Sequence, residues 1–250
     1  EVRNTILFNV LRNGKYGSLV QNIKTKKFLS SYSLPIYAIS QDGEWGLSLN
    51  FSRLQRLRPG YGYSNITDDT KSELCPTYDG IYRINLSNGE KKLLFSLKSI
   101  SSLLPRETMT EAEHYFNHLS FNPSSNRFMF FHLWVKDGAR FSRLLTADID
   151  GNNVFILNNE GPVSHYSWKS EKELLVYGFH QEEKFQYYLY KDLTNEKTVI
   201  GKDHFIEDGH PSFLKNSQFI ITDTYPDKYG EQHLLLFNLH SQSLQKINQF

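Results

Sequence analysis

The sequence predicts an all-β fold, a β-propeller of four-stranded blades, with about five blades visible in these 250 residues. The first observation behind this prediction is a repeat of His-x-Ser followed by Phe or Trp. It occurs at His118, His165 and His210, which are 47 and 45 residues apart. A period of this length is typical of small sheets that recur around an axis. The three imidazoles are therefore expected to converge.

The second observation is an Asn or Asp at the end of an apolar run, followed mostly by Leu or Ile. Turn residues such as Ser87-Asn88-Gly89 come directly after it, as in a tight hairpin. Five occurrences indicate five repeats. They are Asn22, Asn85, Asp148, Asp192 and Asn238.

The third observation is that the apolar runs are short and rich in β-branched and aromatic residues, which favours strands. A β-sandwich also has many short strands, but it would not repeat two signatures at this period, so the propeller is preferred. Residues 98–113 are the only plausible helical stretch, and Pro105 interrupts it. The clearest predicted strands are Arg127 to Phe131, Glu173 to Tyr177, Gln186 to Tyr190 and Phe219 to Thr222.

The repeats predict an incomplete ring. The first repeat starts with an apparent second strand, Thr5 to Val10, and the last ends with a fourth strand, Leu244 to Ile247, so one innermost strand is lacking. We therefore expect residues 1–250 to form one propeller domain that is part of a six- or seven-bladed ring. Two longer repeats indicate insertions at roughly residues 53–79 and 98–114, and long insertions often carry function.

Composition excludes several functional classes. The chain has 28 Lys plus Arg and 27 Asp plus Glu, so it lacks the basic excess of a nucleic-acid-binding protein. The single cysteine, Cys75, excludes an internal disulfide and a cysteine-rich zinc site. No apolar run approaches 18 residues, so no membrane span is predicted.

The propeller geometry predicts a polar rim. The repeated histidines open the innermost strands, and the antiparallel second strand returns to the same rim. Residues 13 to 15 positions further on should therefore join them there. The predicted rim contains His118, His132, His165, His180, His210 and Asp223.

Three interpretations of these histidines stay open on the residues alone. Imidazoles with a carboxylate can hold zinc or manganese. His118 and His132 could instead serve as general base and acid, because histidine changes charge near neutral pH. They could also bond to backbone between adjacent blades, as a purely structural feature.

Charged and aromatic residues near this rim suit an anionic sugar. Arg140 and Arg143 follow the His132 strand, and a guanidinium can bind a carboxylate or sulfate at two points. Tyr61 and Tyr63 in the first insertion could stack on sugar rings or pack within an Ω-loop. Exposed arginines that merely interact with solvent are the alternative for Arg140, Arg143 and the insertion residues Arg53, Arg56 and Arg58.

The chain resembles bacterial propeller polysaccharide lyases over roughly residues 110 to 245. The closest resemblance is to ulvan lyases, with oligogalacturonate lyases more distant, and the first segment below also resembles the Tol-associated propeller repeat. The segments that carry the resemblance are Asn117-His118-Leu119-Ser120-Phe121-Asn122-Pro123, Arg127-Phe128-Met129-Phe130-Phe131-His132, Asp208-Gly209-His210-Pro211-Ser212-Phe213 and Thr222-Asp223-Thr224-Tyr225-Pro226-Asp227.

The resemblance implies β-elimination on a polysaccharide or oligosaccharide that contains uronic acid, in a periplasmic or secreted protein. It implies proton transfer by His118 and His132, with His114 as a possible replacement for His118, and neutralisation of the uronate by Arg143. It also implies a tyrosine, for which Tyr166 and Tyr177 are candidates. Substrate contacts are expected from Arg140, Tyr61, Tyr63 and His180, and a divalent metal, zinc or manganese, at His165, His210 and Asp223. The alternatives are a non-catalytic propeller that binds glycan or protein on this face, and a Tol-type scaffold.

Overall fold

The computed structural model describes residues 4–215 and 217–250, and its strands form five separate antiparallel sheets. Within each sheet, consecutive strands pair with one another, as in propeller blades. Blade one consists of β1 (Thr5–Arg12), β2 (Lys15–Asn22) and β3 (Phe28–Tyr32). Blade two consists of β4 (Ala38–Ile39), β5 (Trp45–Ser48), β6 (Gly80–Asn85) and β7 (Lys91–Ser96). Blade three consists of β8 (Glu113–Phe121), β9 (Arg127–Lys136), β10 (Ala139–Asp148) and β11 (Phe155–Asn158). Blade four is β12 (Val163–Trp168), β13 (Glu173–His180), β14 (Lys184–Lys191) and β15 (Lys197–Ile200); blade five is β16 (Ser212–Phe213), β17 (Phe219–Asp223), β18 (His233–Asn238) and β19 (Ser243–Gln249).

The predicted fold is confirmed, including the reduced first blade. Blades two to five have four strands each and blade one has three. Within residues 4–215 and 217–250, no strand of blade one pairs with a strand of blade five, so the sheets do not close into a ring.

The repeated Asn or Asp has two structural roles. In blades one, two and five the side-chain oxygen of Asn22, Asn85 or Asn238 accepts backbone N–H groups of the following turn. This Asx geometry fixes the hairpin to the outermost strand. In blade three, Asp148 binds Arg127 of the same blade. Asp192 of blade four binds the same guanidinium and so links the two blades.

The core lies mainly between blades two, three and four. Eight consecutive residues of β9 are buried, Phe128, Phe130 and Phe131 among them. Phe95 of blade two contacts Phe128 and Phe130, with ring centroids 6.3 and 5.7 Å apart. Most of the many aromatic residues therefore serve blade packing, which leaves few for ligand contact.

Both predicted insertions exist, but their helices differ from the prediction. Helix α1 (Phe51–Leu57) begins the first insertion and was not predicted. A helix of two turns is too short for its apolar residues to show a helical period in the sequence. It starts at Asn50, whose side chain accepts the backbone N–H of Arg53. In the second insertion only α2 (Leu97–Ser101) and a 3-10 turn (Glu107–Met109) are helical.

The buried side chain of Arg53 holds the first insertion on the propeller. Its guanidinium donates to the backbone carbonyls of His114, Thr70, Glu73 and Leu74 at 2.7 to 3.0 Å. Because these carbonyls belong to the insertion and to β8, one side chain fixes the loop beside blade three.

None of the helices in the described part of the chain has both the length and the apolar character that a membrane span requires.

Candidate functional site

A cleft of about 300 Å³ lies at one rim of the propeller, between the first insertion and blades three, four and five. Its polar and aromatic walls come from parts of the chain that are far apart in sequence. Those that matter for chemistry are Arg58, Tyr61, His118, Arg140, His165 and Tyr225.

His118 lies at an irregular position of the innermost strand of blade three. The register of β8 against β9 shifts between Asn117 and Ser120, and His118 has φ 53. Its backbone N–H donates to the hydroxyl of Tyr37 at 3.2 Å, which in turn donates to Asn117 Oδ1 at 2.9 Å. His118 shares this left-handed backbone with eleven other described non-glycine residues, so it marks an irregular strand and not by itself a functional site.

The imidazole of His118 is enclosed by aromatic rings. Ring centroids of Phe131, Tyr61 and Tyr166 lie 5.1, 5.8 and 5.8 Å from it. Burial, together with charge repulsion from His165 and Arg58, lowers the pKa of His118 to about 4. The side chain is therefore a neutral proton acceptor at pH 7.

His165 and His210 meet in space, as the repeat predicts, with ring centroids 4.1 Å apart. Each is oriented by a carboxylate. His165 Nδ1 lies 3.0 Å from Asp208 Oδ2, and His210 Nδ1 lies 2.9 Å from both oxygens of Asp223. This contact leaves the two Nε2 atoms for other partners.

The carboxylate contacts bear on the predicted metal site. A carboxylate on the second nitrogen is the arrangement that orients metal-binding histidines. However, the described residues contain no group of three or more His, Cys, Asp or Glu side chains that could hold a metal ion. The carboxylate of Asp223 binds His210 twice, because it contacts Nδ1 and also accepts the backbone N–H at 2.6 Å. In the part of the chain that the structure describes, this place thus offers two imidazoles and not the predicted set of three ligands.

Positive charge lines the side of the cleft formed by the first insertion and blade three. Arg140 is exposed at the start of β10, and the guanidinium of Arg58 lies 5.0 Å from the ring centre of Tyr61. Tyr61 and Tyr225 are 42% and 47% exposed, which is enough ring surface for a ligand to contact. The cleft therefore combines cationic and aromatic groups with a neutral imidazole.

His132 and Arg143 do not belong to this cleft. Both are fully buried, on the face of blade three that the second insertion covers. Arg143 Nε donates to His132 Nδ1 at 3.0 Å, so His132 carries its proton on Nε2 and donates to His114 Nδ1 at 2.9 Å. The other nitrogen of His114 donates to the carbonyl of Met109.

The roles predicted for His132 and Arg143 in proton transfer and uronate neutralisation are therefore not carried forward, and His114, equally buried, does not replace His118. The physical reason is that β8 and β9 extend beyond the predicted rim and side chains alternate between faces. Phe131 faces the cleft, so His132 faces the insertion.

This buried histidine pair predicts an acid-sensitive fold. Burial lowers the pKa of His114 to about 4 and that of His132 well below its ordinary value. The unfolded chain binds these protons from about pH 6.5 downward, so stability is full above that pH and falls as the pH drops toward 4. His114 alone should account for a loss on the order of 3 kcal/mol.

Urea unfolding at pH 8, 6 and 5 measures this effect. The His114→Gln variant should show a flatter dependence on pH, because it has lost one of the titrating groups. Equal slopes for the two proteins would show that His114 does not sense the pH.

Three further predicted site residues do not line the cleft. His180 is buried, with Nδ1 2.8 Å from Glu160 Oε1 and Nε2 2.8 Å from the hydroxyl of Tyr190, so it joins β13 to β14 and to the loop before β12. Tyr63 stacks on Phe51 at 4.5 Å and packs the insertion. The ring of Tyr166 contacts His118, but this residue lines a pocket elsewhere on the propeller, and burial raises the pKa of its hydroxyl.

Sequence reasoning missed two residues of the site and left a third unresolved. Tyr225 and Asp208 are in the segments quoted for the family resemblance, but no role was assigned to them. Arg58 could not be separated from Arg53 and Arg56, which the structure shows to be paired with Asp68. A signal for Asp208 was available, because it precedes His210 by two residues in the segment that leads into β16.

Comparison with known proteins supports the fold. No protein-family model and no curated protein matches the chain. Solved structures do match, among them an oligogalacturonate lyase in complex with manganese, with TM-score 0.63, 9% identity, and coverage of 99% of this chain and 62% of that one. TolB from Acinetobacter baumannii matches with TM-score 0.54, 13% identity, and coverage of 98% and 53%.

A third similar structure is the β-propeller domain of the Trilobed protease from Pyrococcus furiosus, described as having an open velcro topology. It matches with TM-score 0.59, 12% identity, and coverage of 98% of this chain and 68% of that one. The chain spans about three fifths of the lyase and about half of TolB.

These likenesses confirm the propeller, and they include proteins of the oligogalacturonate lyase and Tol groups expected from the sequence. The resemblance to ulvan lyases stays a prediction. At such identities the likeness concerns the fold, while the neighbours' activities differ among themselves.

Proposed function

We propose that the cleft binds an acidic oligosaccharide or polysaccharide and that His118 removes a proton from the sugar carbon beside a uronate carboxylate. The observation that carries this proposal is a neutral imidazole in a cleft that also exposes Arg140 and Arg58. Aromatic surface on Tyr61 and Tyr225 suits the faces of sugar rings.

The elimination can be written with the groups of the cleft. His118 takes the proton from C5, its electrons form the C4=C5 double bond, and the glycosidic C4–O bond breaks. The leaving oxygen receives the proton of the Nε2–H of His165, which lines the same cleft; if an ion were bound to that nitrogen, solvent water would supply the proton instead. Arg140 and Arg58 stabilise the negative charge that develops on the carboxylate.

An anionic ligand would also prepare the base. A carboxylate near His118 favours the charged imidazole, opposing the burial and the positive charges that lower its pKa in the free protein. The ligand therefore raises the pKa of His118 toward the range in which general bases work well.

A divalent ion enters this proposal through His165 and His210. Their Nε2 atoms could supply two of its ligands, and the remainder would come from water or the sugar. When bound, such an ion would polarise the carboxylate in the manner of a Lewis acid. The manganese in the oligogalacturonate lyase structure supports this idea by fold likeness alone.

A non-catalytic glycan-binding propeller is the second candidate. The observation in its favour is that His132 and Arg143, two members of the lyase pattern, lie fully buried away from the cleft. In either case we propose a periplasmic or secreted location, in which acidic polysaccharides would be available.

The Arg140→Gln variant tests the binding half of the proposal. Removing the exposed guanidinium should weaken binding of trigalacturonate about tenfold, because one charge-assisted contact is lost. Binding of a neutral trisaccharide should be unaffected. Isothermal titration calorimetry measures both, and Lys136→Gln, near the same hairpin but outside the cleft, is the matched control.

Equal affinity of Arg140→Gln and the wild type for trigalacturonate would contradict the assigned role. The elimination half is tested by mass spectrometry of the products, because an elimination product lacks one water relative to a hydrolysis product.

A further inference from the structure

We propose that the axial channel of the propeller is a second binding site and that it takes an uncharged sugar. The axial channel is the cavity of about 540 Å³ that is lined by the innermost strands of four blades, β4, β8, β12 and β16, and by residues that flank them. Its volume lies in the range of small-molecule sites in proteins. The inference does not depend on the proposed function, because no residue lines both the channel and the cleft.

The channel follows the cleft along the same strands. In blade four, residues 163–165 line the cleft and residues 166–168 line the channel. In blade three, residues 117–118 line the cleft and residues 119–121 line the channel. The two cavities therefore follow one another along the propeller axis. The rings of Tyr166 and His118, 5.8 Å apart, lie where they meet.

The His-x-Ser repeat is divided between the two cavities. Its first two histidines, His118 and His165, line the cleft. Its serines line the channel in all three repeats, and they are Ser120, Ser167 and Ser212. Since equivalent positions of adjacent blades meet near the axis, the period that brings imidazoles together at the rim also brings hydroxyl groups together in the channel.

The wall of the channel is polar but uncharged. None of the described residues that line it is Asp, Glu, Lys, Arg or His, whereas Arg58 and Arg140 line the cleft. Removing a carboxylate from water without a positive partner is unfavourable. We therefore expect a neutral sugar in the channel and an acidic one in the cleft.

Three polar side chains of the channel are available to a ligand. The hydroxyls of Ser167 and Ser212 and the amide of Gln41 form no hydrogen bond with other residues in the ranges 4–215 and 217–250. Ser120 differs, because its side chain interacts with Tyr166. Hydroxyl and amide groups both donate and accept hydrogen bonds, which suits the hydroxyl groups of a sugar.

Trp168 adds aromatic surface to the channel. The residue is half-buried at the end of β12, and its Nε1 donates to the carbonyl of Ser120 at 3.3 Å. This bond between blades four and three fixes the position of the indole. A fixed aromatic ring beside a few polar groups is the combination that binds the apolar face and the hydroxyl groups of a pyranose.

Acrylamide quenching of tryptophan fluorescence measures occupation of the channel. Trp168 lines the channel, whereas Trp134 is fully buried and Trp45 lies in blade two under the guanidinium of Arg83. The probes are two matched pairs, galactose with galacturonate and glucose with glucuronate. At least one neutral sugar should protect the protein from quenching in a saturable manner, and its uronate should bind about tenfold more weakly. The Trp45→Phe variant should retain this protection.

Two channel variants locate the site. Ser212 is exposed, so Ser212→Phe should fold while its ring fills the channel and weakens binding of the neutral sugar more than tenfold. Gln41→Ala, a smaller change, should weaken binding about fivefold through the loss of one hydrogen bond. Both variants should bind trigalacturonate as the wild type does. Ser241→Phe, at an exposed serine in the turn after β18, is the matched control and should bind both ligands normally.

The outcomes distinguish this site from the proposed function. A protein that binds trigalacturonate but neither galactose nor glucose keeps the proposed function and loses the channel site. A protein that binds a neutral sugar in the channel but no acidic oligosaccharide keeps the channel site and loses the proposed function. Tighter binding of the uronates at Trp168, or normal binding of the neutral sugar by both channel variants, would also overturn the channel site.

Discussion

The His118→Gln variant should lose elimination activity by a factor of about 10² to 10⁴ while it still binds the acidic sugar. This range is the usual contribution of a positioned general base. Glutamine keeps a polar side chain of similar length among the rings of Phe131, Tyr61 and Tyr166, but it cannot accept and release a proton. Turnover should therefore fall without a matching change in affinity.

Absorbance of the unsaturated uronate product measures turnover of this variant, and calorimetry measures affinity. His240→Ala, in the exposed turn after β18, is the control and should behave as the wild type does. Undiminished turnover in His118→Gln would remove His118 from the mechanism, though not the cleft from ligand binding.

The Arg143→Met variant should destabilise the protein by about 3 to 5 kcal/mol, because three buried acceptors lose their charged donor and each unpaired group costs about 1 to 3 kcal/mol. Arg143 donates at 2.7 Å to the carbonyls of Leu103 and Ile100, in addition to His132. Methionine fills a similar volume but leaves these acceptors unpaired. The second insertion should detach from blade three as a result.

Urea unfolding measures the loss, and protease cleavage within residues 97–112 reports detachment of the insertion. Arg106→Met, which changes a cation that lies 5.3 Å from the ring centre of Trp134, is the control with a smaller expected loss. A stable Arg143→Met protein that no longer bound acidic sugar would show that Arg143 contacts the ligand, as first predicted from the sequence.

The blades could be predicted because they depend on a repeated local pattern. Hairpin chemistry at Asn22, Asn85 and Asn238 is set by neighbouring residues, and the structure uses those side chains as turn acceptors. The contact between His165 and His210 follows from the same period, since equivalent positions of adjacent blades meet near the axis.

The site was only partly predictable because it also depends on irregular segments. The side chain of His132 points away from the cleft because side chains alternate along the strand, and the second insertion buries it there. The second insertion has no repeated sequence pattern from which its position could be predicted. The same applies to Tyr61 and Tyr63, two residues apart in the first insertion. Tyr61 faces His118, whereas Tyr63 stacks on Phe51.

Charge gave no means of choosing among the arginines. Arg53 and Arg143 are both fully buried and bind backbone carbonyls, whereas Arg58 and Arg140 reach the cleft. In composition and net charge these four arginines are indistinguishable. Only the tertiary structure distinguishes an arginine that anchors a loop from one that can bind a carboxylate.

The most direct measurement is ultraviolet absorbance during incubation of the folded wild-type protein with polygalacturonate, ulvan and other uronate-containing polysaccharides, with and without manganese or zinc. Elimination creates a conjugated double bond that hydrolysis does not, so we expect absorbance to rise with at least one substrate. A flat trace with every substrate, from protein that binds these sugars in calorimetry, would contradict the lyase and leave a glycan-binding propeller.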